Sequence, residues 1–191
     1  MITAQTPVQH IAALPEQADV VVIGGGIVGV MTALELAQDG YAVTLLEKGR
    51  IAGEQSSRNW GWVRAQGRDI AELPIMLEAQ GMWPELANRA GDIGLRQTGT
   101  LYLADTEAEV AAYQDWLDRA APFQVSSRIM SSAQVADHMP HASRRWAGAL
   151  YTPTDYRAEP WATVPALARL AAEEGSTIIE DCAVRLLDLE A

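Results

Sequence analysis

The sequence predicts an α/β fold whose first unit is a parallel βαβ, and three observations carry that prediction. Residues 19–23, Asp-Val-Val-Val-Ile, form a short β-branched run of the kind buried on both faces of a parallel sheet. Gly24, Gly26 and Gly29 follow at once in the spacing G-x-G-x-x-G, and from Ile27 the apolar residues Val30, Met31, Leu34 and Ala37 recur at helical intervals. Gly40 then stands where a left-handed helix cap is wanted, and residues 42–46 read as a second buried strand ending on Glu47.

Each part of this unit has a physical reason. The first glycine permits the tight turn, the second lets the backbone approach a pyrophosphate, and the third allows close packing of helix on strand. Unpaired amides near Gly26 to Val28, Ile27 between them, point outward from the helix start, where the positive end of the dipole favours an anion, and Gly25 belongs to the same cofactor-binding set. Ala33, four residues past Gly29, is small enough to continue the close packing. Glu47 is placed to accept hydrogen bonds from ribose hydroxyls, and its charge disfavours a 2′-phosphate. Such a unit serves FAD and NAD alike.

The stretch after Glu47 separates the two. Residues 48–64, Lys-Gly-Arg-Ile-Ala-Gly-Glu-Gln-Ser-Ser-Arg-Asn-Trp-Gly-Trp-Val-Arg, form a long polar loop where an NAD domain ordinarily proceeds sooner to its next helix. Joined to residues 19–47, this run resembles the FAD-dependent oxidoreductases of the D-amino acid oxidase family, the group of glycine and sarcosine oxidases and D-amino acid dehydrogenases. The resemblance implies a Rossmann-like FAD-binding βαβ domain with part of an inserted α+β substrate domain. It implies that Gln55, Ser56, Ser57 and Asn59 hold the pyrophosphate and ribityl portion of FAD, that Val184 lies beside the adenine through its backbone, and that Lys48 joins the cofactor-binding set next to Glu47. Read without it, the loop is a polar connection in which Ser56 or Ser57 caps a short helix.

Arg58 and Arg64 are the cations of this loop. An arginine pairs bidentately with a carboxylate, sits on a phosphate, or pairs with one of the many acids. Arg58 is read as structural or cofactor-facing and Arg64 as the substrate-binding candidate. Trp60 and Trp62 share a face if the piece is extended.

Further along, residues 71–90 are helical by spacing, with Leu73, Met76, Leu77, Gln80, Trp83 and Leu86 on one side and Pro84 expected to kink or restart the helix. Residues 100–104 alternate as a strand. Thr106 with Glu109, and Ser131 with Gln134, are capping boxes for two further helices. Residues 147–152 read as a strand and 153–160 as a turn-rich connection, in which the family usually has glycine where Tyr156 stands. A helix is expected over 161–174 with Pro165 in its first turn, then strands over 177–180 and 183–187. The resemblance divides the chain into an irregular lead-in (1–18), a first part of the FAD domain (19–95), part of the substrate domain (96–152) and a return to the FAD domain (153–191).

Composition sets the outer bounds. With 25 acidic against 14 basic side chains the formal charge is −11, and the longest basic cluster is the pair Arg144–Arg145, so nucleic acid is not expected as a partner. No run of residues is long and apolar enough to span a bilayer, which leaves peripheral membrane contact or contact with an electron acceptor open. The single Cys182 cannot form an internal disulfide and suits a reducing, cytoplasmic setting. His138 and His141 have metal-like spacing, but Pro140 lies between them and no third ligand is near, so no metal is expected. Glu173, Glu174, Glu180 and Asp181 read as a solvated acidic face.

The resemblance further implies oxidation of an amino acid or amine, a small-molecule substrate, with hydride passing from the amine-bearing carbon to flavin N5. That chemistry requires no general base among these residues, so no catalytic residue is named. Family members continue for about as long again, and an N-terminal portion completed by a C-terminal half is the expectation. Two other classes stand beside this reading: a catalytically silent FAD-binding or interaction unit, and an NAD-dependent dehydrogenase.

Overall fold

A computed structural model describes residues 1–188. In chain order the elements are β1 (Val20–Ile23), α1 (Ile27–Gln38), β2 (Val43–Leu46), β3 (Trp62–Val63), α2 (Leu73–Ala90), β4 (Arg96–Gln97), β5 (Thr100–Ala104), α3 (Glu107–Ala120), β6 (Arg128–Ser131), α4 (Ser132–His138), β7 (Gly148–Thr152), β8 (Tyr156–Arg157), α5 (Pro160–Glu173) and β9 (Thr177–Ile179). They form two compact units. Among the described residues, one comprises 1–61, 85–94 and 159–188, the other 62–84 and 95–158.

The first unit holds a parallel sheet in the order β1-β2-β9, with Val22 opposite Leu45 and Leu45 opposite Ile178. Parallel strands need crossovers, and α1 and α5 supply them. The core forms where Val30, Ala33, Leu34 and Ala37 of α1 meet Val164, Leu167, Ala168 and Ala171 of α5, under Val43, Leu45 and Ile178. Alanines on both helices remove the bulk that would otherwise hold them apart. Helix α1 ends at Gly40, whose φ of +88° lets its amide and that of Tyr41 turn back onto the carbonyls of Ala37 and Leu36.

Strand β2 is buried along its whole length, as a two-sided strand should be. Strand β1 departs from that expectation: Val21 and Ile23 are 53% and 59% exposed. As the edge strand of a three-stranded sheet, β1 has one face covered by the helices, and none of the described residues buries the other. Residues 1–18 form no helix or strand, yet they are tied to the unit. Ile2 joins the core, and the Arg50 guanidinium donates to the Thr6 carbonyl at 2.6 Å and pairs with Asp181.

The acidic face expected at the chain's end is corrected at Glu180. This residue is only 7% exposed, and its carboxylate accepts from the amides of Gln9, His10 and Ile51. The solvated reading took the acids as a surface cluster, whereas the lead-in folds over Glu180 and gives it three donors. Helix α5 also starts earlier than expected, with Pro160 in its first turn and Pro165 inside it. The carbonyl that Pro165 leaves without a donor belongs to Trp161, an exposed first-turn residue. Residues 183–187 form no strand, because no described strand pairs with them.

The second unit carries two small antiparallel sheets, β3-β8-β4 and β5-β7-β6. Its main core gathers Leu73, Trp116, Ala120 and Leu150. Both capping boxes are present, Thr106 with Glu109 and Ser131 with Gln134. Helix α2 continues through Pro84 as one element. Tyr156 is extended in β8 and needs none of the left-handed freedom of a glycine. No helix among the described residues is long and apolar enough to cross a membrane.

Candidate functional site

The turn between β1 and α1 is shaped by two glycines with different duties. Gly24 has φ +108°, a conformation that L side chains rarely adopt, and its amide closes onto the Leu46 carbonyl at 2.9 Å. A Cβ on Gly29 would stand 2.0 Å from the Gly24 carbonyl oxygen and 3.3 Å from Val22, so the helix lies against the turn only because that position has no side chain. Gly25 and Gly26 are tight as well. Added carbons there would meet Ile51 at 2.5 Å and the Ser56 hydroxyl at 3.1 Å.

Helix α1 has no side-chain cap from its own N-cap residue, Gly26. Ser56 supplies the hydrogen bond from 29 residues away, its Oγ accepting from the Ile27 amide at 2.9 Å. The loop after β2 is thereby fastened to the glycine turn. A second fastening runs from the Ala52 amide to the Gly25 carbonyl at 2.9 Å, with Ala52 itself at φ +60°. Nothing in the local sequence pattern singles out Ile51 and Ala52, since their role depends on the distant turn.

Glu47 closes the end of β2 and is 8% exposed. One carboxylate oxygen accepts from the Gly25 amide at 2.7 Å and the other from the Gly49 amide at 2.7 Å. Each oxygen keeps a further acceptor site. The carboxylate is therefore oriented by backbone on both sides and can still receive two hydroxyl donors.

The remaining loop residues behave differently from one another. Asn59 donates to the Gln55 and Ser56 carbonyls and accepts from the Gly61 amide, so it staples the loop internally. Ser57 is buried, and its hydroxyl has no hydrogen-bond partner among the described residues. Gln55 is exposed, Lys48 is exposed and pairs with Glu54 at 3.6 Å, and Val28 is 77% exposed at the first turn of α1. Arg58 bonds the Gly53 carbonyl and pairs with Glu54. Val184 is half-buried in an irregular segment. All of these residues belong to the first unit.

Arg64 lies in the second unit. Its guanidinium stands 5.3 Å from the Trp62 ring centre and 5.5 Å from that of Tyr102, and it donates to the Gln66 carbonyl. Beside it lies a polar group that sequence reasoning did not find, made of the buried Asp155, Gln66 and Thr152 with the half-buried Gln80. The one visible signal was Gln80, a polar residue in the apolar stripe of α2. No group of His, Cys, Asp and Glu suited to a metal occurs among the described residues.

The chain is 31% identical over 175 residues to glycine oxidase of Geobacillus kaustophilus, an alignment covering 85% of this chain and 45% of that protein. The structure of L-amino acid deaminase from Proteus myxofaciens in complex with anthranilate superposes with a TM-score of 0.92 at 29% identity, covering 98% of this chain and 44% of the other. L-proline dehydrogenase from P. horikoshii gives a TM-score of 0.86 at 31% identity, covering 93% and 47%. The chain thus spans a little under half the length of these relatives. A family model described as FAD dependent oxidoreductase (DAO) matches residues 19–191, and the chain belongs to that family.

Proposed function

We propose that the first unit binds FAD and that the whole protein oxidises an amino acid or amine. One observation carries the reading: a helix start whose own N-cap residue is glycine, a glycine turn with no room for side chains, and a carboxylate oriented at the end of β2 converge at the C-terminal end of the parallel strands. The residues fit the group. Backbone at Gly25, Gly26, Ile27, Val28 and Gly29 would take the pyrophosphate, where a Cβ on Gly25 or Gly26 would crowd the cradle. Glu47 would accept from two ribose hydroxyls, with Lys48 beside it. Gln55, Ser56, Ser57 and Asn59 would line the cofactor along the loop, and the Ser57 hydroxyl has a free hydrogen-bonding site to offer. Val184 would meet the adenine through its backbone.

Bound flavin supplies the two-electron acceptor for amine oxidation. What this chain contributes is binding and orientation. Arg64 is the proposed anchor for a substrate carboxylate: two aromatic faces hold its guanidinium, and an arginine fork matches a carboxylate bidentately. The relatives support a small amino acid or amine as substrate, and anthranilate in the Proteus structure is an amine-bearing carboxylate. The single cysteine supports a cytoplasmic location. The family match supports FAD over NAD as cofactor.

A nucleotide-binding unit without turnover is the second reading, because the glycine turn and the oriented Glu47 carboxylate speak to cofactor binding and not to turnover. Both readings expect FAD to bind. They part on a substrate screen under anaerobic conditions: bleaching of the flavin absorbance by an amino acid or amine supports the oxidoreductase, and unchanged absorbance with every substrate supports the silent unit.

A further inference from the structure

Side chains of the same unit hold the backbone of residues 63–65, Gln80 on the Val63 carbonyl, Arg68 on the Arg64 carbonyl at a long 3.5 Å and Asp155 on the Ala65 amide, and Gln66 is held through its buried side chain. The Val63 carbonyl accepts from Gln80 Nε2 at 3.2 Å. The Ala65 amide donates to Asp155 Oδ1 at 2.9 Å, and Gln80 Nε2 donates to the same oxygen at 2.8 Å. Gln66, fully buried, receives the Thr152 hydroxyl on Oε1 at 2.7 Å, and since that spends the threonine's proton, Ser127 must donate to Thr152 at 2.6 Å. Its backbone carbonyl takes the Arg64 guanidinium.

Asp155 is the centre of this arrangement. It is 0% exposed, and its own backbone is tied to Gly99 and Thr152. Its second oxygen, Oδ2, is buried with no hydrogen-bond partner among the described residues. A half-satisfied carboxylate in an interior is costly, and an apolar side chain would serve the core better. The sheet does not need it, because β3 is already paired with β8 through Trp62–Arg157 and Val63–Tyr156. What Asp155 adds is a fixed backbone on the far side of Arg64, matching the one Gln80 fixes on the near side.

We propose that Asp155, seconded by Gln80, is a positioning residue that locks the backbone on both sides of Arg64, so that its guanidinium presents a rigid fork to a substrate carboxylate. The inference rests on the reading of Arg64 as the anchor, and the test separates the two.

The full chain is labelled with 15N, and the arginine Nε–Hε resonances are recorded without cofactor; Arg64→Lys identifies the Arg64 signal, displaced by the Trp62 and Tyr102 rings. Anthranilate is then titrated into the FAD-loaded protein at a temperature where circular dichroism shows each variant folded. Asp155→Ala is expected to return the Arg64 signal to the position of exposed arginines and to weaken anthranilate binding by about tenfold or more, as loss of a supporting shell does. Asp155→Asn keeps an oxygen for Ala65 and Gln80 and is expected to bind within about threefold of the parent. Gln80→Met, on a half-buried helix position, removes the other hold and tests the same claim if Asp155→Ala does not fold; it is expected to shift the signal in the same direction.

A folded Asp155→Ala, or failing that a folded Gln80→Met, with the Arg64 signal and the anthranilate affinity of the parent overturns the positioning role and makes the cluster purely structural. Loss of anthranilate binding in Arg64→Met together with that result leaves the anchor standing and overturns this inference alone. Parental binding in Arg64→Met, or none in the wild type, overturns the anchor and this inference with it.

Discussion

Glu47, which is buried, and His10, which is half-buried, are two ionisable residues with opposite consequences. The Glu47 carboxylate is aimed by the amides of Gly25 and Gly49, so under the proposed reading it would meet ribose hydroxyls without reorganising. Glu47→Gln removes the charge while keeping the shape and is expected to weaken FAD binding about tenfold to a hundredfold, the worth of a hydrogen bond to a charged group; fluorescence titration of FAD measures it. His10 sits under Glu180. Burial lowers its imidazole below the ordinary value of 6.5, the Glu180 carboxylate pulls it partly back up, and Arg169 pushes it further down. The unfolded chain therefore takes up a proton at a pH where the folded chain does not. Stability is full above about pH 6.5 and is lost as the pH falls toward the lowered value. Urea midpoints at about pH 7.5 and about pH 5.5 should differ in the parent and differ less in His10→Gln.

At the scale of elements, the glycine turn and the caps can be tested separately. Gly29→Ala would drive a carbon to 2.0 Å from the Gly24 carbonyl, so α1 must move away from the turn. The expected cost is about 2 kcal/mol or more in urea unfolding, with loss of FAD binding beyond what the lower stability explains. Thr106→Ala removes one half of the α3 capping box and is expected to cost about 1 kcal/mol without touching FAD affinity.

The contrast between these elements explains what was legible in the sequence. The β1-α1-β2 unit and both capping boxes depend on residues within a few positions of each other, and their spacing alone announces them. Strands β3, β4 and β8 are two residues long and exist only because β8 pairs with both of the others from some sixty to ninety-five positions away. No periodicity marks them, and β6 was likewise missed. Glu180 misled for the same reason, since its donors lie at the far end of the chain. Gln80 was visible as an oddity in an apolar stripe, but its partner Asp155 is 75 residues distant.

At the scale of the molecule, each unit has its own core and its own buried polar centre. In the first, the cradle built by Gly24–Gly29, Glu47 and Ser56 is supported by α5 and by a lead-in that Glu180 and Arg50 hold in place. In the second, Asp155 and Gln80 brace the segment around Arg64. Whether the first unit is a cofactor domain is read most directly from the visible spectrum of the purified full chain titrated with FAD, with Glu47→Gln alongside. Saturable binding with a protein-perturbed flavin spectrum, weakened in Glu47→Gln, is the expected result. A folded chain whose mixture with FAD keeps the spectrum of free FAD at every concentration would contradict it.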